Sequence, residues 1–263
     1  MKMTTLSARW RVAIASVAAL ASLAAALAAA GGSPAAGAAT KGALAKVEAE
    51  LRVEGPRGNL VPGRTYTTGT ERVKRSRGLA CRHRDGTIKV EGPTALGIAE
   101  TASDESRRLP PVRVRPDDFG LFVCEIGGFI GRPFDDPDGF SGWTYWVDYA
   151  GGTQAAELET LQEGDQVLWV FSDFGERNLN TGDALELTGV PPTDADGEFN
   201  VQVVAHAFNG SPSPLAGARI KGAEDVEDLG GGSYAVTVGD GRSILYAKHK
   251  PDIPSNREKV VVE

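Results

Sequence analysis

Two clusters of carboxylates stand in loop segments where acid–base or metal chemistry can take place: Asp135–Asp138 and Asp194–Glu198. Paired carboxylates hydrolyse glycosidic bonds, and loop carboxylates bind Ca²⁺. The second cluster lacks the ligand spacing and the closing Glu of a calcium loop. Adjacent carboxylates among Gly and Pro more often cap turns. The sequence therefore predicts turns at both places, with a secreted hydrolase using the Asp135–Asp138 loop as an alternative.

The chain has few residues that could form a nucleophilic active site or a metal site. His83, His206 and His249 are scattered along the sequence. The segment 139–143 resembles a nucleophile elbow, but its second Gly comes one position too early. Two Cys and three His are also too few for a zinc cage. We therefore expect no catalytic residues, no metal, no cofactor and no enzymatic activity.

The first forty residues have the pattern of a secretory signal peptide. A basic start at 1–11 precedes an Ala-rich apolar stretch at 12–30, which ends in an A-x-A cleavage pattern at 28–30. The alternative is a retained membrane anchor, because a stretch of this length just spans a bilayer. We predict cleavage near residues 30–40, which leaves a secreted, extracellular protein with no stable membrane span.

The predicted secretion also indicates the state of the two cysteines. Cys81 and Cys124 are the two cysteines of the chain, and in an oxidising space two Cys most often form one disulfide. A metal pair and a reactive thiol are the alternatives. We predict a structural disulfide between them.

Charge is unevenly distributed. The chain has 28 basic and 35 acidic residues, for a net charge of −7, which argues against nucleic acid or an anionic membrane as the main partner. Six basic residues nevertheless fall within thirteen positions: Arg72, Lys74, Arg75, Arg77, Arg82 and Arg84. This run contains no aromatic residue on which a base could stack. It predicts a solvated hairpin face or, alternatively, a surface that attracts an anionic wall polymer or polysaccharide.

Aromatic residues concentrate on two strand patterns, at 143–148 and 167–171. Side chains alternate between the faces of a strand, so Trp143 and Tyr145 share one face while Trp146 lies on the other. Core packing explains one face. An exposed ring on the other would mark a binding surface. The ligand-binding residues predicted on this basis are Trp143, Tyr145 and Trp146, with Phe134 and Phe140 from the preceding loop.

The elements that position these residues are mostly strands. Strand patterns at 47–53, 87–91 and 119–126 accompany the two aromatic ones, and Thr94 is placed to cap a short helix. After a polar linker, short strand patterns recur about every ten residues, as in a β-sandwich. We predict a mainly β protein. Residues 41–175 form an α+β domain with one short helix on a small antiparallel sheet, 176–183 a linker, and 184–263 an all-β sandwich.

Four segments in this order carry a family resemblance: 52–56 (RVEGP), 94–100 (TALGIAE), 142–148 (GWTYWVD) and 161–169 (LQEGDQVLW). The series resembles bacterial secreted domains that are similar to the C-terminal domain of transcobalamin, and it covers about residues 45–175. The tail resembles the immunoglobulin-like or carboxypeptidase-regulatory-like domains that often follow. The resemblance implies a small-molecule carrier as one function, with a corrinoid-like ligand on the aromatic strands.

Together these patterns favour a secreted, non-catalytic binding or surface-interaction protein. The expected partner is a small molecule or a polymer of the cell surface or wall, and not a nucleic acid. The corrinoid-like carrier and the secreted hydrolase are the alternatives.

Overall fold

The structure, a computed structural model, describes residues 46–78, 80–106, 109–132, 139–175, 178–194 and 196–263. The predicted signal peptide, Phe134 and the Asp135–Asp138 run lie outside the described residues. Within the described ranges, the helix is too short to cross a membrane. The mainly β fold with one short helix is confirmed.

The first half of the described chain contains ten strands and one helix. In order they are β1 (Val47–Gly55), β2 (Gly58–Thr68), β3 (Glu71–Arg77), β4 (Arg82–Val90), α1 (Ala95–Glu105), β5 (Arg113–Asp117), β6 (Gly120–Ile126), β7 (Phe129–Ile130), β8 (Ser141–Val147), β9 (Ala150–Gly151) and β10 (Gln166–Asp173). The strands form two sheets, of order β2-β1-β10-β8-β9 and β4-β3-β5-β6-β7.

Neither sheet is purely antiparallel, which corrects the predicted small antiparallel sheet. Strand β1 pairs with β10 in parallel, with Leu51 opposite Val167, and β3 pairs with β5 in parallel. Parallel neighbours need a long crossover connection. The helix and the whole second sheet lie in the connection between β1 and β10, so the pairing joins the two ends of this half.

Helix α1 forms because its sequence combines a cap with small apolar residues. The Thr94 hydroxyl accepts a hydrogen bond from the Gly97 N–H at 3.0 Å, which satisfies a free donor of the first turn. Residues 95–103 are all buried, and the helix packs against β1, β2 and β3. The indole of Trp169 on β10 donates to the Ala95 carbonyl at 2.8 Å. The helix is therefore part of the core between the sheets.

The predicted disulfide is confirmed. Cys81 and Cys124 are bonded, with their Cα atoms 5.5 Å apart. Cys81 lies in the turn between β3 and β4, and Cys124 lies on β6. The bond therefore fixes the end of the β3–β4 hairpin to the strand that follows β5 along the chain.

The second half contains nine strands in the described ranges. They are β11 (Ala184–Thr188), β12 (Thr193–Asp194), β13 (Glu198–His206), β14 (Pro212–Pro214), β15 (Arg219–Lys221), β16 (Asp225–Gly230), β17 (Ser233–Thr237), β18 (Gly241–Lys248) and β19 (Glu258–Val262). Their two sheets have the orders β11-β13-β17-β16 and β12-β19-β18-β15, with β14 added beside β13. Apolar residues of both sheets form one core, as in a β-sandwich.

A third apolar cluster joins the two halves. It contains Trp146, Leu168 and Val170 from the first half and Ala184 and Ile253 from the second. No strand of one half pairs with a strand of the other among the described residues, so the change from one set of sheets to the other falls between β10 and β11. All described residues nevertheless belong to one compact unit.

Polar contacts support this cluster. Arg52 on β1 is buried and donates to the Pro254 carbonyl at 2.8 Å. Arg257 donates to the buried Glu54 carboxylate at 2.6 Å. Gly151 donates its N–H to the Phe208 carbonyl at 2.8 Å and lies so close to that ring that a Cβ would overlap it. The halves are therefore held by paired charges as well as by apolar contact.

The described part of the predicted linker is hydrogen-bonded on both sides. Asn180 donates its side-chain amide to the Phe171 carbonyl at 3.2 Å. The backbone N–H groups of Thr181 and Gly182 both donate to the Pro251 carbonyl. Residues 178–183 therefore act as part of the contact between the halves and not as a free tether.

Candidate functional site

The aromatic residues that the sequence selected as ligand contacts lie in the protein interior. Trp143 and Tyr145 belong to the core of the first half. The Trp143 indole donates to the Phe129 carbonyl at 2.9 Å, and the Tyr145 hydroxyl donates to the Gln154 carbonyl at 2.8 Å. Both polar groups are thus already satisfied, and both rings serve core packing.

Trp146 points to the opposite face of β8, as the alternation predicts, but that face is covered. Its side chain belongs to the cluster between the halves and the residue is only 3% exposed. The Phe208 ring meets it edge-on, with centroids 5.3 Å apart. The expectation of an exposed indole is therefore corrected, because the second half covers this face of the sheet.

Of the remaining two predicted contacts, the described one is half-buried and lies against a ring that is 53% exposed. Phe140 stacks on Phe174 with centroids 5.8 Å apart, and Phe134 lies outside the described residues. The structure thus brings Trp143, Tyr145 and Trp146 to one strand but not to one surface. A carrier site on the aromatic strands has no support from this arrangement.

Each histidine contacts a carboxylate. His83 lies 3.0 Å from Glu125, and His206 lies 2.9 Å from Glu186. His249 lies 2.8 Å from Asp252. These distances describe ion-pair or hydrogen-bond partners within the fold, and no described Ser or Cys nucleophile is hydrogen-bonded to a histidine.

In the segment 194–198, the Asp194 carboxylate caps a turn, as predicted. Asp194 accepts hydrogen bonds from the backbone N–H groups of Asp196 and Gly197, at 2.9 and 2.6 Å. Within the described ranges, no group of three or more His, Cys, Asp or Glu side chains is placed to hold a metal ion.

The basic run forms a surface of its own on the β3–β4 hairpin, which we call the basic hairpin. Its exposed cations are Arg72, Lys74, Arg77, Arg82, Arg84 and Lys89. The strand register places Arg72 directly opposite Lys89 and Arg77 directly opposite Arg82. Like charges directly opposite on neighbouring strands destabilise a sheet. The hairpin therefore holds two cation pairs whose mutual repulsion a bound anion would relieve.

Most of these cations have no internal counter-ion. Lys89 pairs with Glu91 at 2.6 Å. The five exposed arginine and lysine side chains between Arg72 and Arg84 make no ion pair or hydrogen bond with any described residue. Their charges are thus available to a partner. Lys89 falls outside the sequence run and is recognised only through the register of the hairpin.

The hairpin is a firm base for these charges. Val73 and Ser76 on β3 are buried, and the disulfide ties the turn to β6. On the neighbouring strand β5, Arg113 reaches Glu125 at 3.5 Å and Arg115 covers the Phe122 ring at 4.4 Å. The basic hairpin is therefore a rigid cationic edge of the second sheet of the first half.

Comparison of the chain with family models, with curated proteins and with solved structures finds no match. The resemblance to transcobalamin-like and immunoglobulin-like domains accordingly stays a prediction.

Proposed function

We propose that this protein is an extracellular, non-catalytic binding protein whose basic hairpin attaches it to an anionic polysaccharide of a cell surface. The observation that carries the proposal is two opposed cation pairs, Arg72 with Lys89 and Arg77 with Arg82, on an exposed and disulfide-fixed hairpin. Of these four cations, only Lys89 has an ion-pair partner among the described residues. An external polyanion would supply negative charges to the hairpin cations that have no ion-pair partner among the described residues.

A polymer fits this surface better than a single small anion. Strands rise about 3.3 Å per residue, so the cations from Arg72 to Arg77 extend over roughly 17 Å. Charges spread over that length on two adjacent strands match anions repeated along a chain. A single carboxylate or phosphate reaches only one or two of them.

A polysaccharide is favoured over a nucleic acid. Strands β3 and β4 contain no Phe, Tyr or Trp, and binding of single-stranded nucleic acid relies on aromatic side chains that stack on bases. The net charge of −7 also opposes a general affinity for nucleic acid.

The test compares two double variants on immobilised polygalacturonate. Arg77→Gln with Arg82→Gln removes one opposed pair. Arg242→Gln with Lys259→Gln removes two exposed cations from β18 and β19, which also form an antiparallel pair. A basic residue close to an anionic surface contributes about 1 kcal/mol, so the hairpin variant should bind about thirty-fold more weakly.

The control variant should bind like the unchanged protein, and added NaCl should weaken the binding of both. Equal affinity of the hairpin variant and the control would contradict the proposal. Retention on a neutral dextran matrix as strong as on polygalacturonate would do the same.

A further inference from the structure

A second concentration of positive charge lies in a cleft of the second half, apart from the basic hairpin. The cleft has a volume of about 520 Å³ and is bounded by the segment 178–180 on one side and by β15 and the end of β18 on the other. Small-molecule sites commonly have volumes of about 300–1,000 Å³. The size therefore suits a compact ligand.

Four exposed cations line this cleft: Arg219, Lys221, Lys248 and Lys250. Arg219 on β15 stands directly opposite Lys248 on β18, which is again an unfavourable like-charge pair. None of the four makes an ion pair with a described residue. The cleft is thus strongly positive in a chain whose net charge is −7.

The one carboxylate among the lining residues is already engaged. One Asp252 oxygen contacts Nδ1 of His249 at 2.8 Å, and the other accepts the Asp183 N–H at 3.1 Å. Asp252 is therefore held toward the segment 181–183 and His249. The Nε2 atom of His249 makes no hydrogen bond with a described residue, and it adds a polar group to the cationic wall.

The opposite wall is fixed in place before any ligand arrives. Asn180 is anchored through its side chain to Phe171, and its carbonyl accepts from the Ser172 hydroxyl at 2.8 Å. Leu179, Pro251 and Pro254 add apolar surface to the lining. A ligand in this cleft can therefore contact both cations and carbon atoms, and the segment 178–180 beside it is already hydrogen-bonded.

We propose that this cleft binds a small organic anion that carries two or more phosphate or carboxylate groups on a compact carbon skeleton. Two anionic groups can neutralise the Arg219–Lys248 pair and reach Lys221 or Lys250, while the skeleton covers the Leu179 and proline surface. The site does not depend on the basic hairpin, because the two surfaces share no residue.

Isothermal titration at low salt tests the proposal with fructose 1,6-bisphosphate and with citrate. We expect a dissociation constant below about 1 mM for at least one of them. Arg219→Gln with Lys248→Gln should weaken that binding at least about tenfold, because both charges face the ligand. Lys221→Gln with Lys250→Gln provides a second variant, in case the first one disturbs the β15–β18 pairing.

Arg242→Gln with Lys259→Gln is the matched control, because Arg242 lies on the same strand as Lys248, roughly 20 Å away. This control and the hairpin variant should keep the affinity of the unchanged protein within about twofold. Binding of the bisphosphate alone would assign phosphate as the recognised group, and binding of citrate would assign carboxylate. Absence of binding for both probes, or cleft variants that bind as well as the control, would overturn the proposal whether or not the hairpin binds polysaccharide.

Discussion

At the scale of single residues, Glu100 links the stability of the fold to pH. It lies in α1, is only 2% exposed, and accepts a hydrogen bond from the Val112 N–H at 3.2 Å. Burial, aided by the nearby charge of Asp104, raises the pKa of this carboxyl from 4.5 to about 7. Ionised Glu100 is thus unfavourable inside the fold.

The sign of the pH dependence follows from the raised pKa. Between about pH 4.5 and pH 7 the folded chain holds a proton at Glu100 that the unfolded chain has lost. The free energy of unfolding therefore falls as pH rises through this window, by up to about 3 kcal/mol from this group. At lower pH the carboxyl is neutral in both states and has no such effect.

Replacement of Glu100 by Gln should remove that fall. The amide keeps an acceptor for the Val112 N–H but does not ionise, so the variant should gain stability relative to the unchanged protein at about pH 8 and not at about pH 4. Urea unfolding at the two pH values measures the effect. Glu198→Gln, at an exposed position on β13, is the control. A pH dependence equally steep in Glu100→Gln and in the control would contradict this account.

At the scale of elements, the β3–β4 hairpin owes its firmness to one covalent bond. The disulfide closes a loop of 43 residues, and in the chain-entropy model such a bond stabilises the fold by about 4 kcal/mol. The hairpin carries opposed cations that repel one another. The bond therefore offsets part of the repulsion between these cations.

Replacing both Cys81 and Cys124 by Ser should lower the free energy of unfolding by about 4 kcal/mol. Urea unfolding measures the loss, and mass spectrometry of the unchanged protein after alkylation should detect no free thiol. Added NaCl should return part of the stability of the variant, since it screens the hairpin cations. Two alkylatable thiols in the native protein would refute the premise.

Helices and strands whose apolar residues recur at regular spacing were predictable from sequence, whereas strands made mostly of polar residues were not. The alternating residues of β1 and the Thr94 cap identify their elements locally. Strand β16 has the sequence DVEDLG, lies at a sheet edge and is almost wholly exposed. Its pairing depends on β17 and not on apolar burial, so its sequence carries no strand signal.

The same distinction applies to the two proposed binding surfaces. The basic hairpin is contiguous in sequence, and its charges were visible as a run. The cationic cleft combines residues of β15 with residues at and just after the end of β18, and only the sheet register brings Arg219 opposite Lys248. Trp146 was placed on the correct face of its strand, but the cover supplied by Phe208 comes from a distant segment. Local patterns do not encode such long-range contacts.

At the scale of the whole molecule, the cluster around Trp146 couples the two halves. We expect one cooperative transition in scanning calorimetry, because apolar contact, the Arg257–Glu54 ion pair and the hydrogen-bonded linker all join them.

Trp146→Ala should lower the free energy of unfolding by about 3–5 kcal/mol. Leu158→Ala, at a side chain 60% exposed, should change it little. Two well-separated transitions in the unchanged protein, or equal stability of the two variants, would contradict this coupling.

The parallel pairing of β1 with β10 also dictates an order of events as the chain leaves the ribosome. Glu50 pairs with Gln166, so β1 and β2 emerge as a hairpin long before the strand that completes their sheet. Until then one side of β1, in which apolar and charged residues alternate, presents unpaired backbone groups that can associate with other chains. Closing so long a loop also slows folding. A chain that ends before β10 therefore leaves this edge of β1 without its partner strand, and we expect such a chain to be less stable than the full-length protein.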